Sequence, residues 1–313
     1  MPEKLVIALG GNALQSRDTA PTAEGQLQVV RRTCAQLAAI SKAGYELAIV
    51  HGNGPQVGRL VLALEAASGK VPVMPFDVCG AMTQGYIGYH IQQAMQEALT
   101  KVGRQVPVVT LTTQVVVDRQ DPAFQEPTKP IGPFYSHAQA LILEKDRGYA
   151  MMEDADRGWR RVVASPKPQR IVELDTVKRL WDSTIVITCG GGGIPVAETA
   201  EGGLEGMAAV IHKDLAAGLL AREMEADRLL ILTEVEKVAL RFGKEDRQDL
   251  DRLTVEEAER YAQAGEFGKG SMLPKVQAAM EFAASKPGRT AVITSLDRAL
   301  DALEGRTGTV ITL

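Results

Sequence analysis

The sequence predicts an α/β protein built on a parallel sheet covered by helices, and three observations carry that prediction. Short, continuous apolar runs recur along the 313 residues, several of them end in glycine-rich turns, and stretches with helical spacing separate most of them. Continuous apolar runs belong to strands buried on both faces, which is the condition of a parallel sheet between helical layers. Alternation of strand and helix then implies right-handed crossovers.

The elements follow in order. Residues 5–9 predict the first strand, which stops at Gly10; residues 25–43 have helical spacing; residues 45–50 predict a second strand, and residues 106–111 a third. From about Asp118 to Lys167 the rhythm breaks into prolines, glycines and charges. Within that excursion, residues 149–152 followed by 159–163 predict a small hairpin across Asp154 to Gly158. Strands resume at 185–189, 208–211, 229–232 and 291–294, with a helix over 254–264.

Composition bounds the function. Hydrophobic residues make up 45% and charged residues 24%, a mixture suited to a folded core rather than a disordered chain. The length suits two lobes, or one large α/β unit with an insertion. Thirty-five Lys plus Arg against 39 Asp plus Glu leave a net charge of −4, so no global basic field favours nucleic acid or an anionic membrane. The chain has no 18-residue apolar run, and Met1-Pro2-Glu3-Lys4 leads into a strand without a signal-peptide pattern, so a cytoplasmic protein is expected. Cys34, Cys79 and Cys189 are odd in number, far apart and without CxxC or paired-histidine spacing, so buried thiols are expected, not a disulfide framework or zinc site.

In a parallel sheet the ligand sits beyond the carboxyl ends of the strands. Three turns there are rich in glycine: Gly10-Gly11-Asn12, His51-Gly52-Asn53-Gly54-Pro55 and Gly190-Gly191-Gly192-Gly193. Glycine lets the backbone approach a ligand and aim successive N–H groups at it, and a following helix N-terminus adds partial positive charge. Three convergent turns therefore predict an anion site. The chain contains neither a G-x-x-x-x-G-K-[ST] loop nor H-R-D or D-F-G, and Val196 stands where a G-x-G-x-x-G fingerprint needs its last glycine. Phosphoryl transfer requires cations around a spreading negative charge and usually a Mg²⁺ on the nucleotide phosphates. Lys129, Lys167 and Lys275 sit among prolines or glycines, and Lys213 is followed by Asp214, which suits orienting an ammonium or holding metal.

Eight segments then carry a family resemblance: ALGGNAL (8–14), HGNGPQVG (51–58), TQGYIGY (83–89), KPIGPFY (129–135), VVASPKP (162–168), CGGGGIPV (189–196), KDLA (213–216) and GSMLPK (270–275). In this order the sequence resembles the carbamate kinases of the amino-acid kinase superfamily from end to end. Superfamily members acting on larger acids generally carry a lysine on strand one before the paired glycines; this chain has Ala8, as carbamate kinases do.

The resemblance implies an open three-layer αβα sandwich with a mainly parallel sheet, a carbamate-binding lobe over residues 1–184 with a lid-like insertion at 118–167, and a nucleotide-binding lobe over 185–313. It implies a homodimer and reversible transfer between ATP and carbamate, giving ADP and carbamoyl phosphate. Mg²⁺ would accompany the nucleotide without an assigned protein ligand, and the ATP made would serve catabolism of arginine or related nitrogen compounds. Gly10, Gly11, Asn12, Gly52, Asn53 and Gly54 would surround carbamate and the phosphoryl group. Lys129, Lys213 and Lys275 would neutralise charge, Asp214 would organise them, and Gly190, Gly191, Gly192 and Gly193 would face phosphate or substrate. Thr233, Val235, Lys237, Met272, Leu273 and Pro274 would border the nucleotide. Two residues depart from the family pattern: His212 stands before Lys213-Asp214 where Asp is common, and Glu236 replaces Asp in the LTxVD element. His212 reads as a tolerated neighbour, and His51, His90 and His137 as structural or surface residues, because ionised carbamate needs little help from a base.

Overall fold

The computed structural model describes residues 2–16, 18–154 and 157–313. The first part of the chain runs β1 (Lys4–Leu9), α1 (Ala23–Lys42), β2 (Glu46–His51), α2 (Gly54–Ala66), α3 (Phe76–Lys101), β3 (Val108–Thr110) and β4 (Gln114–Val117). The insertion contributes β5 (Lys129–Tyr135), α4 (His137–Arg147), β6 (Ala150–Glu153) and β7 (Trp159–Val163). Then come β8 (Pro168–Ile171), α5 (Leu174–Trp181), β9 (Ile185–Ile187), β10 (Ile194–Glu198), β11 (Leu204–Gly206) and α6 (Lys213–Glu223). The chain closes with β12 (Arg228–Thr233), β13 (Val238–Leu240), β14 (Gln248–Leu250), β15 (Arg252–Thr254), α7 (Val255–Gln263), α8 (Leu273–Ala284), β16 (Thr290–Ser295), α9 (Ala299–Leu303) and β17 (Thr309–Thr312).

The central sheet has eight strands in the order β15-β17-β16-β12-β1-β2-β9-β3. Every pairing is parallel except β16 with β17. Alternate residues serve opposite helical layers, as a strand's period of two requires. Leu5, Ile7 and Leu9 pack with α1 and α3, whereas Val6 and Ala8 pack with α5, α6 and α8. All five are fully buried, so the expected αβα layering is present.

Helix α1 begins at Thr22, whose hydroxyl accepts a hydrogen bond from Gly25 N at 3.1 Å, and stops before Gly44 at φ 105°. Helix α3 lies so close to β3 that a Cβ on Gly88 would meet Thr110 Cγ2 at 2.2 Å. Only glycine permits that approach.

The insertion leaves the main sheet as expected and forms a three-stranded antiparallel sheet, β5-β7-β6. Its hairpin pairs Ala150 with Val162 and Glu153 with Trp159; residues 155 and 156, within the expected turn, lie outside the described residues. Helix α4 was not expected there. A capping box between Ser136 and Gln139 starts it, and Gly148 at φ 64° ends it. A second sheet, β11-β10-β4-β8, flanks the insertion. Residues 208–211, expected as a strand, form a single bridge between Ala209 and Ala164; Ala208 is exposed in a bend, and the buried Ala209, Val210 and Ile211 lead toward α6. The strands expected at 106–111 and 185–189 shorten to 108–110 and 185–187.

Candidate active site

Adjacency of β12, β1, β2 and β9 brings the ends of four strands to one edge of the sheet. A Cβ on Gly10 would lie 2.8 Å from Leu232 O and 3.7 Å from the Cα of Thr233, so the first glycine turn is seated against the end of β12. Gly11 and Asn12 are exposed there. In the second turn, a Cβ on Gly52 would be 3.4 Å from Lys213 Cδ, and one on Gly54 would be 3.4 Å from the carbonyl of Pro130, next to Lys129. This turn therefore lies between the lysine that opens α6 and the strand that opens the insertion.

Only the second turn leads into an α-helix. The first passes into a 3-10 turn at Gly11–Ala13, because Ala13 and Leu14 turn inward as core residues; the third passes through a 3-10 turn at Gly190–Gly192 into β10. Expecting a helix dipole behind all three turns is thus corrected to one. The tetraglycine also has a packing role that composition alone does not reveal. Gly191, Gly192 and Gly193 have φ of 70°, 92° and 90°. Added Cβ atoms at Gly190, Gly191, Gly192 and Gly193 would come within 2.3 Å of His51 Nε2, Asn53 Nδ2, Ile211 O and Val115 Cγ2. The amides of Gly192 and Gly193 bond to the carbonyls of Cys189 and Gly190. This turn braces the second one and the approach to α6; its side-chain faces meet protein.

Lysines from three distant segments converge beside it. Lys213 and Asp214, the first residues of α6, are 8% and 3% exposed. Asp214 accepts from the Lys213 ammonium on Oδ1 and from Lys275 on Oδ2, the latter at 3.3 Å. Lys275 also donates to Ser271 O at 3.0 Å, within the turn that starts α8. Lys129 opens β5, and its ammonium lies 2.9 Å from His212 Nδ1.

Electrostatics follow from burial. Desolvation pushes the Lys129 ammonium down to about 7 and Lys213 to about 8, against the attraction of Asp214 in both cases. Burial alone would raise Asp214, but Lys213 and Lys275 outweigh it and hold the carboxyl well below the usual range. His51 is buried and lowered to about 4, and His212 is lowered to about 3 by burial and then by the charge of Lys129. Both imidazoles are neutral at physiological pH. Lys213 and Lys275 bond one carboxylate and Lys129 stands beside them, so three lysines share a single counter-charge, a setting that favours an anion.

The remaining expected residues fall into two groups. Thr233, the last residue of β12, and Val235 just beyond it are half-buried, and Thr233 lies beside the Gly10 turn. Lys237 is turned to Asp251 at 2.5 Å, and Glu236 takes the Thr307 hydroxyl and lies 3.5 Å from Arg298 Nε. Met272 and Leu273 pack partly into the core and Pro274 is buried, all at the start of α8 beside Lys275. Lys167, also singled out by its prolines, is exposed.

Sequence reasoning missed two supporting residues on α3. Thr83 donates its one hydroxyl proton to Gly80 O at 2.8 Å, so it must accept from Asn53 Nδ2 at 2.9 Å, which fixes the orientation of the Asn53 amide. Gln84 donates to Thr113 O and Gly190 O and accepts from Thr113 N, pinning the tetraglycine turn. Two adjacent polar residues on the buried face of a helix were the available signal.

The sequence profile of the amino acid kinase family matches residues 3–295. The chain belongs to the amino acid kinase family. A carbamate kinase of Clostridium perfringens is 51% identical over 98% of this chain and 99% of its own length. A carbamate kinase-like protein of Escherichia coli is 52% identical, covering 99% of both chains. The solved carbamate kinase of Giardia lamblia bound to AMP-PNP superposes with a TM-score of 0.89 at 42% identity, covering 99% of this chain and 98% of that one. The sandwich and its mainly parallel sheet are those of an amino acid kinase.

Proposed function

We propose that the protein is a carbamate kinase, transferring a phosphoryl group reversibly between ATP and carbamate to give ADP and carbamoyl phosphate. One observation carries the reading: three lysines from separate segments meet around Asp214 beside two glycine turns, in a chain half identical to carbamate kinases along its length. In the direction of ATP formation, a β-phosphate oxygen of ADP attacks phosphorus and the bond to the carbamate oxygen breaks. Carbamate leaves as an anion, so no proton need move, in keeping with a neutral, enclosed His51.

Gly10, Gly11, Asn12, Gly52, Asn53 and Gly54 hold carbamate and the phosphoryl group, with Gly190, Gly191, Gly192 and Gly193 forming the wall behind them. Lys129, Lys213 and Lys275 compensate charge that spreads in the transition state. Thr233, Val235, Lys237, Met272, Leu273 and Pro274 border the nucleotide. Among the described residues no cluster of three or more His, Cys, Asp or Glu is placed to hold a metal, and both oxygens of Asp214 take ammoniums. Mg²⁺ would enter with the nucleotide, as the metal–nucleotide complex.

The N-terminal part, residues 1–184, takes carbamate, the insertion at 118–167 covers it, and residues 185–313 take the nucleotide. The protein works as a cytoplasmic homodimer, supplying ATP during catabolism of arginine or related nitrogen compounds. Among the described residues no helix is long and apolar enough to cross a membrane. A strip along α3, with Val78, Met82, Tyr86 and Tyr89 36–58% exposed, supports self-association. Met82→Glu should convert the dimer to monomer in sedimentation; an unchanged mass would place the contact elsewhere.

The deciding experiment is incubation with ADP, Mg²⁺ and carbamoyl phosphate while following ATP. ATP should form, and Lys129→Ala should slow turnover by orders of magnitude. Nucleotide binding without turnover in either direction would make the protein a sensing module. Faster transfer to another small acid would change the acceptor.

A further inference from the structure

Lys129 reaches the ion cluster through a neutral partner. Its ammonium meets Nδ1 of His212 at 2.9 Å, across 83 residues of sequence and across the seam between the insertion and α6. When Lys129 carries its proton it donates and the imidazole Nδ1 accepts, which puts the ring proton on Nε2. His212 immediately precedes α6, the position where Ser, Thr, Asp or Asn ordinarily closes a helix start with its own side chain. Its side chain makes no such bond and is turned to Lys129 instead.

The charged groups facing Lys129 are Asp214 and Lys213 from α6, Lys275 from α8 and Arg160 from β7. Asp214 is already shared between Lys213 and Lys275. A carboxylate at position 212 would hold Lys129 but cancel its charge. An apolar residue would spare the charge but release the ammonium. A neutral acceptor holds the group and leaves it cationic.

We propose that His212 is a positioning residue for phosphoryl transfer, its Nδ1 docking the Lys129 ammonium at the start of α6 so that the insertion delivers an uncancelled positive charge to the phosphoryl group. This rests on the phosphotransferase reading above and extends it to a residue that departs from the Asp common at this position and reads in the sequence as a tolerated neighbour. Lys129 is lowered to about 7, so the group at 212 helps decide whether it keeps its proton.

Three variants of the full chain separate the possibilities. His212→Asn puts an amide oxygen near the place of Nδ1, His212→Leu removes the acceptor, and His212→Asp adds a charge. Two readouts apply: initial rates of ATP formation, and the pH dependence of Lys129 acylation by acetic anhydride, followed by peptide mass spectrometry. In His212→Leu the Lys129 titration should move to lower pH and kcat should fall about 10-fold or more, with the KM for ADP within about twofold. In His212→Asp the titration should move to higher pH, and His212→Asn should stay near the parent in both readouts. Identical Lys129 titrations in all four proteins would overturn the proposal, as would parental kcat in His212→Leu. Absence of ATP formation by the parent would refute the phosphotransferase reading instead, while the acylation profile would still report on the His212 contact.

Discussion

Asp214 is where the charge balance of the site turns. It is 3% exposed and bonds two ammoniums, so removing its charge leaves buried cations facing one another. Asp214→Asn should lower stability by about 3–5 kcal/mol in urea unfolding, the usual cost of breaking a buried pair from one side. Its ATP formation should be lost with it. A stability within 1 kcal/mol of the parent, by the same buried-pair reasoning, would mean that the lysines had found another counter-charge. The two lowered lysines also make a kinetic prediction. Free protein holds Lys129 near 7 and Lys213 near 8, and a bound phosphoryl anion favours their charged forms. The alkaline limb of kcat/KM, which reports free enzyme, should therefore lie at lower pH than the limb of kcat. Coincident limbs would remove these lysines from the anion's surroundings. At this scale the sequence was legible wherever local setting marked a residue, as proline and glycine marked Lys129 and Lys275. It was silent about partners: nothing near Lys275 announces a carboxylate 61 residues away, and nothing near His212 announces Lys129.

Between elements, a close backbone approach helps to seat the insertion. A Cβ on Gly58 of α2 would lie 2.0 Å from Gly132 N and 2.2 Å from Gly132 Cα of β5. Backbone atoms cannot yield as a flexible side chain does. Gly58→Ala should therefore displace β5, and Lys129 with it. The expected signature is a loss of roughly 1–3 kcal/mol, typical of overpacking, with a larger fall in kcat than in nucleotide affinity and an unchanged far-ultraviolet spectrum. Turnover at the parental rate would show that β5 can shift without moving its lysine. The strands β1, β2, β12 and β16 were readable because burial on both faces writes an unbroken apolar run. Helix α4 was not, since Ala140 is its one buried residue and Leu141 and Ile142 are 52% and 58% exposed, so no apolar stripe exists to be read. Residues 209–211 misled for the opposite reason: they are apolar because they are packed, and their pairing stops at one bridge.

For the molecule as a whole, buried titratable groups set the pH dependence of stability. His51 and His212 are lowered to about 4 and about 3 from 6.5, so toward pH 6.5 the unfolded chain binds more protons than the folded one, and stability rises with pH. Lys129 and Lys213, lowered to about 7 and about 8 from 10.5, act in the same direction over the next interval, because their desolvated ammoniums burden the fold until they lose their protons. Thermal midpoints without ligand should therefore climb from pH 5 to pH 9, and inorganic phosphate should flatten the upper part by favouring the ammoniums. A midpoint that falls between pH 7 and pH 9 without phosphate would contradict this account. The layered architecture was legible from alternation alone, whereas the second sheet was not, because its strands β4, β8 and β10 are three short segments that join only through long-range pairing.

The placement of β1 has a consequence for how the protein is made. Its five fully buried residues pair on one side with β2, a near neighbour in sequence, and on the other with β12, which begins only at Arg228. At roughly 5–20 residues per second, β12 leaves the ribosome roughly 10–45 s after β1. Throughout that interval the nascent polypeptide carries a strand destined for complete burial with one edge unzipped, an invitation to aggregation.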